Sequence, residues 1–197
     1  MLLAKDKKGR TVWHLAAERG KPEILQKLWE RAEKDLTKEE INNKFLLTTD
    51  SEGKTVWHLA AEKGTPETLQ KIWECAKEKL TTEEINNKFL LATDCGGRTA
   101  WHLAAEMGTP ETLQKVWEGA IEKLTTDEIN NKFLLATDGE GRTVWHLAAN
   151  RGETEIFQKV WEWAIKKLTT EEINNRLLLA TDNKGSTVWH MAARWGK

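Results

Sequence analysis

CGGRTAWHLAAEMG, residues 95–108, sets a histidine, His102, between a tryptophan and a run of small apolar residues, just after a glycine-rich turn. The phrase returns as GRTVWHLAAERG from Gly9, GKTVWHLAAEKG from Gly53, GRTVWHLAANRG from Gly141 and GSTVWHMAARWG from Gly185. Its tryptophans, Trp13, Trp57, Trp101, Trp145 and Trp189, follow one another at a constant spacing of 44 residues. A fixed period of that size marks a repeat array in which each unit covers its neighbour's apolar face. Residues 1–197 therefore divide as one repeat domain. A partial leading repeat, 1–8, and a truncated final one, 185–197, flank four full units: 9–52, 53–96, 97–140 and 141–184.

Within a unit, TVWHLAAERG reads as a helix of about two turns. Thr11 caps its start and Gly20 suits a left-handed position after its end. TPETLQKIWECAKEKL has Thr65 as N-cap, Pro66 in the first turn and Glu67 beside the positive end of the helix dipole. Leu69, Ile72, Trp73, Ala76 and Leu80 lie on one side of that second helix, which makes it amphipathic. TTEEINNKFLLATD then opens on a capping box, Thr81 with Glu84, matched by Thr37/Glu40, Thr125/Glu128 and Thr169/Glu172. The spacing predicts a third short helix, with Ile85 and Phe89 one turn apart. An extended run follows it into a tight turn between Asp94 and Gly97.

These units resemble ankyrin repeats. The pattern D-x-x-G-x-T-P-L-H-x-A-A-x-x-G-x-x-E is met in order by Asp50, Gly53, Thr55, His58, Ala60, Ala61, Gly64 and Glu67. Val56 and Trp57 stand where the family has proline and leucine, and the unit exceeds the usual ~33 residues by about 11. The capping-box segment accounts for the excess. HEAT-type helical pairs are the rival, because their period of ~40 to 47 residues includes this one. They do not explain the aspartate-glycine turn or the short first helix. The expected fold is all-α with short β-turn fingers, an ankyrin-like α-solenoid, elongated and curved.

The residues that suggest chemistry are weighed against that frame. A histidine in every copy could mean a metal, yet equivalent atoms one helix-packing distance apart, ~8 to 10 Å, cannot share a zinc that needs nitrogens at ~2 Å. The resemblance implies a structural histidine at His14, His58, His102, His146 and His190, hydrogen-bonded near the turn and the helix start. The tryptophans, eleven with no tyrosine, could stack sugars or bases. Two of their series instead read as core, which leaves Trp163 and Trp195 as the places to look for an exposed indole, with core or interrupted-end packing the favoured account of both. The carboxylate pairs Glu39/Glu40, Glu83/Glu84, Asp127/Glu128 and Glu171/Glu172 sit in first turns, where negative charge is favoured. No phosphate-cradling loop, nucleophile elbow or H-E-x-x-H occurs, so no enzyme, cofactor or metal site is expected.

Lys and Arg total 30 against 31 Asp and Glu, a net charge of −1 without a basic face, which argues against nucleic-acid binding. MLLAKDKKG lacks the apolar core of a signal peptide and no stretch is long enough to span a membrane, so a cytoplasmic or otherwise intracellular setting is expected. Cys75 and Cys95 form no metal or disulfide pattern.

Comparing the copies adds one observation. Arg31, Cys75, Gly119 and Trp163 occupy one equivalent position, and Ser51, Cys95, Gly139 and Asn183 another. Each such set is a few single-base changes wide, which fits tandem duplication followed by drift. By the ankyrin resemblance, turn tips and first helices line a concave side that contacts a protein partner. The tip candidates are Ser51, Glu52, Lys54, Cys95, Gly96, Arg98, Gly139, Glu140, Arg142, Asn183, Lys184 and Ser186. Glu62, Lys63, Glu106, Met107, Asn150 and Arg151, near the first-helix ends, complete the surface, with Met107 as an apolar anchor. A structural spacer or repeat array, or a designed repeat scaffold, with no partner of its own is the alternative. MAARWGK, which closes the last first helix with no second helix to cover it, predicts an apolar end around Met191 and Trp195 that favours end-to-end self-association.

Overall fold

The structure, a computed structural model, describes residues 2–195, with the backbone alone at Trp195. Among the described residues every regular element is helical, and only isolated bridges, Thr137 with Thr143 and Thr181 with Thr187, join extended segments. The chain is all-α. Each full unit has a short first helix, a second helix of 14 residues and a third helical segment.

The first helices run Val12–Glu18, Val56–Lys63, Ala100–Met107, Val144–Arg151 and Val188–Trp195. Each packs on the first helix of the next unit, and the second helices, Pro22–Asp35, Pro66–Lys79, Pro110–Lys123 and Thr154–Lys167, pack on one another in the same order. The small residues explain the close approach: Ala60, Ala61, Ala104 and Ala105 are buried, and an alanine costs no side-chain entropy where backbones meet.

The third segment differs from the short α-helix that its spacing predicts. It is a π-helix, Ile41–Leu46, Glu84–Leu90, Glu128–Leu134 and Ile173–Leu178 in successive units, with bonds such as Leu91 N–H to the Asn86 carbonyl at 3.0 Å. A π turn takes in about one residue more than an α turn. Residues five apart then share a side, so Ile85, Phe89 and Leu90 are all buried where an α-helix would turn Leu90 away. The capping boxes do form: the Thr81 N–H donates to Glu84 at 3.0 Å and the Glu84 N–H to the Thr81 hydroxyl oxygen at 3.2 Å.

The tryptophans form the core. Trp13, Trp57, Trp101 and Trp145 are essentially inaccessible, and each of the first three lies within about 6 Å, ring centre to ring centre, of a second-helix tryptophan and a π-helix phenylalanine. Trp163 is buried, in line with the core reading, and stacks on Trp117 at 4.9 Å and 12° across the unit boundary. Among the described residues the exposed indole is Trp189, 57% accessible, which corrects the reading of its series as core. Met191, expected at an uncovered end, is buried beneath its own helix, and the side chain of Trp195 lies outside the described residues.

Candidate functional site

The turn tips are built by aspartate and glycine together. The Asp94 Oδ1 accepts the backbone N–H groups of Gly96 and Arg98, both at 2.9 Å, and Oδ2 takes the Arg98 guanidinium at 2.8 Å. Asp138 repeats this with Glu140 and Arg142. Burial would raise the Asp94 carboxyl, but the backbone donors and the Arg98 charge overcome it and hold the group below the usual aspartate range.

Successive tips are tied to one another. The Ser51 N–H donates to the Lys8 carbonyl at 2.8 Å, Cys95 to Glu52 at 2.8 Å, Gly139 to Gly96 at 2.8 Å and Asn183 to Glu140 at 2.9 Å. One bond per unit joins the tips into a ladder. The residue just after each ladder acceptor is a glycine with φ near +75°: Gly97 has φ +73°, and a Cβ there would lie 2.8 Å from the Gly139 nitrogen that makes the ladder bond. Gly97→Ala is therefore expected to cost about 2 kcal/mol or more, from left-handed strain plus displacement of the next tip. Gly185, φ +77° with nothing within 4 Å of its Cβ, should show the strain alone. Urea unfolding of the two variants measures the difference, and equal losses would mean that the ladder contributes nothing.

The histidines join the first helix to the following tip. The Thr55 N–H donates to His58 Nδ1 at 3.2 Å, with the Thr55 hydroxyl 2.8 Å from the same nitrogen, and His58 Nε2 donates to the Ala92 carbonyl at 3.0 Å. Facing a carbonyl, Nε2 must carry the proton, so Nδ1 accepts and the ring is neutral. His14, His102 and His146 make the equivalent bonds to the carbonyls of Thr48, Ala136 and Ala180, at 3.1, 3.2 and 3.2 Å. In these four rings both nitrogens are used, which leaves no lone pair for a metal or a substrate; His190 is exposed and makes the Nδ1 bonds to Thr187. Among the described residues no three His, Cys, Asp or Glu side chains converge on a place for a metal ion.

The predicted contact residues divide. Ser51, Glu52, Lys63, Cys95, Gly96, Met107, Gly139, Glu140, Asn183 and Lys184 are exposed, Met107 to 49%. Lys54 and Glu62 are not: both are buried and paired at 2.8 Å, with Glu52 also 3.1 Å from the ammonium. Burial pulls Lys54 down, and the two carboxylates overturn that and leave it above the ordinary lysine value. Arg98, Glu106 and Arg142 are half-buried in pairs of their own, Arg98 to Glu106 at 3.3 Å and Arg142 to Glu106 at 3.8 Å. Arg151 spends its guanidinium on the Gly108 carbonyl and on Glu153. Asn150 and Ser186 are partly covered. Eight residues separate Arg10 from Glu18, Lys54 from Glu62 and Arg98 from Glu106, so these pairs meet where tip and helix fold together, whereas Arg142 reaches back to Glu106 of the preceding unit. A polar groove of about 240 Å³ opens between the first tips, with Lys54 and Glu62 in its wall and Ser51, Glu52 and Lys63 at its edge.

Sequence reasoning passed over one set of residues. The Asn42 side-chain amide donates to the Lys79 carbonyl at 3.3 Å and Asn130 to the Lys167 carbonyl at 3.2 Å, so each satisfies the last turn of the next unit's second helix. The signal was an Asn-Asn pair kept in all four copies in a helical segment, where asparagine is a poor former.

Cys75 is buried, its thiol pushed up to about 12 by desolvation, whereas Cys95 is exposed on a tip, and neither forms a disulfide. Among the described residues no helix is long and apolar enough to cross a membrane.

No protein-family model matches the chain, and no curated protein matches it.

Proposed function

We propose that the chain is an ankyrin-like solenoid, elongated and curved, that acts without catalysis as a scaffold for a protein partner on its tips and first helices. The observation that carries this reading is the tip ladder. It fixes a row of exposed positions at one bond per unit while the side chain shown at each changes: Ser51, Cys95, Gly139, Asn183. A rigid row of differing side chains is preorganised for recognition and loses little freedom on binding. The near-neutral charge favours a protein over nucleic acid. The two free thiols fit a reducing, intracellular setting.

One observation favours the spacer reading instead. Lys54, Glu62, Arg98, Glu106 and Arg142 satisfy one another, which leaves fewer charges for a partner than the sequence suggests.

The test compares the parent chain with a variant carrying Ser51→Lys, Met107→Ser and Lys184→Glu. All three side chains are exposed, so each change should alter stability by no more than about 0.5 kcal/mol. The same cellular protein is expected to be retained by the parent and lost from the folded variant. Equal recovery on both would refute the recognition face and support the spacer.

A further inference from the structure

The position occupied by Arg31, Cys75, Gly119 and Trp163 lies in the second helix, on the side that meets the preceding unit. Between units 3 and 4 it is filled: the indole of Trp163 lies 5.6 Å from the Trp101 ring and stacks on Trp117 at 4.9 Å and 12°. Between units 2 and 3 the equivalent residue is Gly119. A Cβ there would sit 3.7 Å from both Trp57 Cζ2 and Trp73 Cδ2, in ordinary contact. The indole is missing and a cleft of about 90 Å³ takes its place, walled by Trp57, Trp73 and Gly119.

The two floors have the same geometry. Trp57 and Trp73 lie 5.8 Å apart at 36°, and Trp101 and Trp117 lie 5.9 Å apart at 36°. The pair takes this arrangement whether or not an indole lies on it, so it is preformed for one. We propose that the cleft at Gly119 binds a free planar aromatic molecule of indole size, stacked on Trp73 as Trp163 stacks on Trp117.

The rim differs between the two places in a way that defines the ligand. Where Trp163 sits, the flanking residue on the earlier unit is Ile121; at the cleft it is Lys77, whose ammonium lies 5.7 Å over the Trp73 ring and 3.3 Å from Glu122. Lys77 is a flexible cover that an entering ring displaces. An exposed cation over an indole is a weak contact, and ring stacking with burial of two aromatic faces exceeds it. The Glu122 carboxylate, which already accepts the Trp73 Nε1–H at 2.9 Å, stands at the mouth and can accept a second ring N–H. A second ion pair, Lys115 with Glu118 at 2.8 Å, closes the other side. With Lys77 in place Trp57 and Trp73 are only 1% and 5% exposed, so a bare ring enters this cleft of about 90 Å³ as Lys77 moves aside, and a peptide backbone does not fit beside it. It lies among the second helices, apart from the tips.

Indole itself is the probe, and the readouts are calorimetric titration and melting temperature. The parent chain is expected to bind one indole, with a melting temperature raised by about 3–6 °C at ten times the dissociation constant. Gly119→Trp should fill the cleft, raise the melting temperature without ligand and abolish the titration signal. Lys77→Ile, which copies Ile121, should bind indole several-fold more tightly. Trp163→Gly, if it folds, should bind a second equivalent. No indole-dependent shift in the parent, or an equal shift in Gly119→Trp, would overturn the proposal. N-acetyl-tryptophanamide, a model of a partner's side chain, should bind at least tenfold more weakly, and equal affinity would overturn the assignment to a free molecule.

Discussion

Acidification from pH 7 to pH 4 is expected to remove about 6 kcal/mol of stability, through the buried repeat histidines His58 and His102. Burial holds His58 and His102 down at about 4 against the pull of the Asp94 and Asp138 carboxylates, whereas the ordinary value is 6.5. Above pH 6.5 both the folded and unfolded chains carry these rings neutral, and the stability is fully present. Between 6.5 and 4 the unfolded chain binds protons that the folded chain refuses, so stability falls as pH falls. The separation corresponds to about 3 kcal/mol per histidine, and by pH 4 the loss is nearly complete. Protonation has a structural price as well, because a proton on Nδ1 faces the N–H of Thr55 or Thr99 instead of accepting it. His14 and His146 are shifted in the same direction by burial and add to the slope. Urea unfolding at pH 7, 5.5 and 4 measures it. The His58→Gln/His102→Gln chain should be less stable at pH 7 and markedly flatter over this window; a parallel slope would show that other groups carry the acid response.

The second large effect is expected at Trp101. Its ring is fully buried and meets Trp117 and Phe133 in its own unit and Trp163 in the next, so truncation opens a cavity on both sides of a unit boundary. Trp101→Ala should cost about 5 kcal/mol, the upper end for a buried aromatic. Trp189→Ala, the same position in the last copy but 57% exposed, should cost under about 1 kcal/mol. Trp101→Phe separates ring from donor. The Trp101 Nε1–H is buried without a partner, as are those of Trp13, Trp57 and Trp145, and removing an unmatched donor offsets part of the lost area. The loss for phenylalanine should therefore be less than half that for alanine in thermal or urea unfolding. Comparable losses at Trp101 and Trp189 would mean that the ring contacts across the boundary add little.

What could be read in the sequence is whatever depends on local chemistry repeated at a fixed interval. Thr65 and Pro66 start a helix in any context, Thr81 and Glu84 close a box within four residues, and Trp57 and Trp73 repeat on faces that periodicity identifies. The missed features depend on how the elements pack on one another, within a unit as well as across its boundary. Whether Lys54 faces water is decided by Glu62 and Glu52 folding over it, and a lysine beside a turn glycine gives no local sign of that. The π-helix has the composition of an α-helix, and burial of Leu90 selects the wider turn. Trp189 is exposed although its series reads as core, because burial follows the neighbour each ring meets, and Asn42 acts on a carbonyl 37 residues away. The candidate surface was legible in outline from its tips. Which of its charges remain available was fixed only by the packing between tip and helix.

The account's central claim is that the tips form a rigid, interlocked row and not a series of independent loops. Native-state hydrogen exchange at the amides of Ser51, Cys95, Gly139 and Asn183 tests it most directly, since these residues are exposed yet each N–H is committed to the preceding tip. The account predicts that these four amides exchange slowly, with opening free energies approaching those of the first-helix amides around Trp57 and Trp101. Exchange at the rates of an unstructured loop would contradict the ladder, and with it the preorganised surface on which the proposed recognition rests.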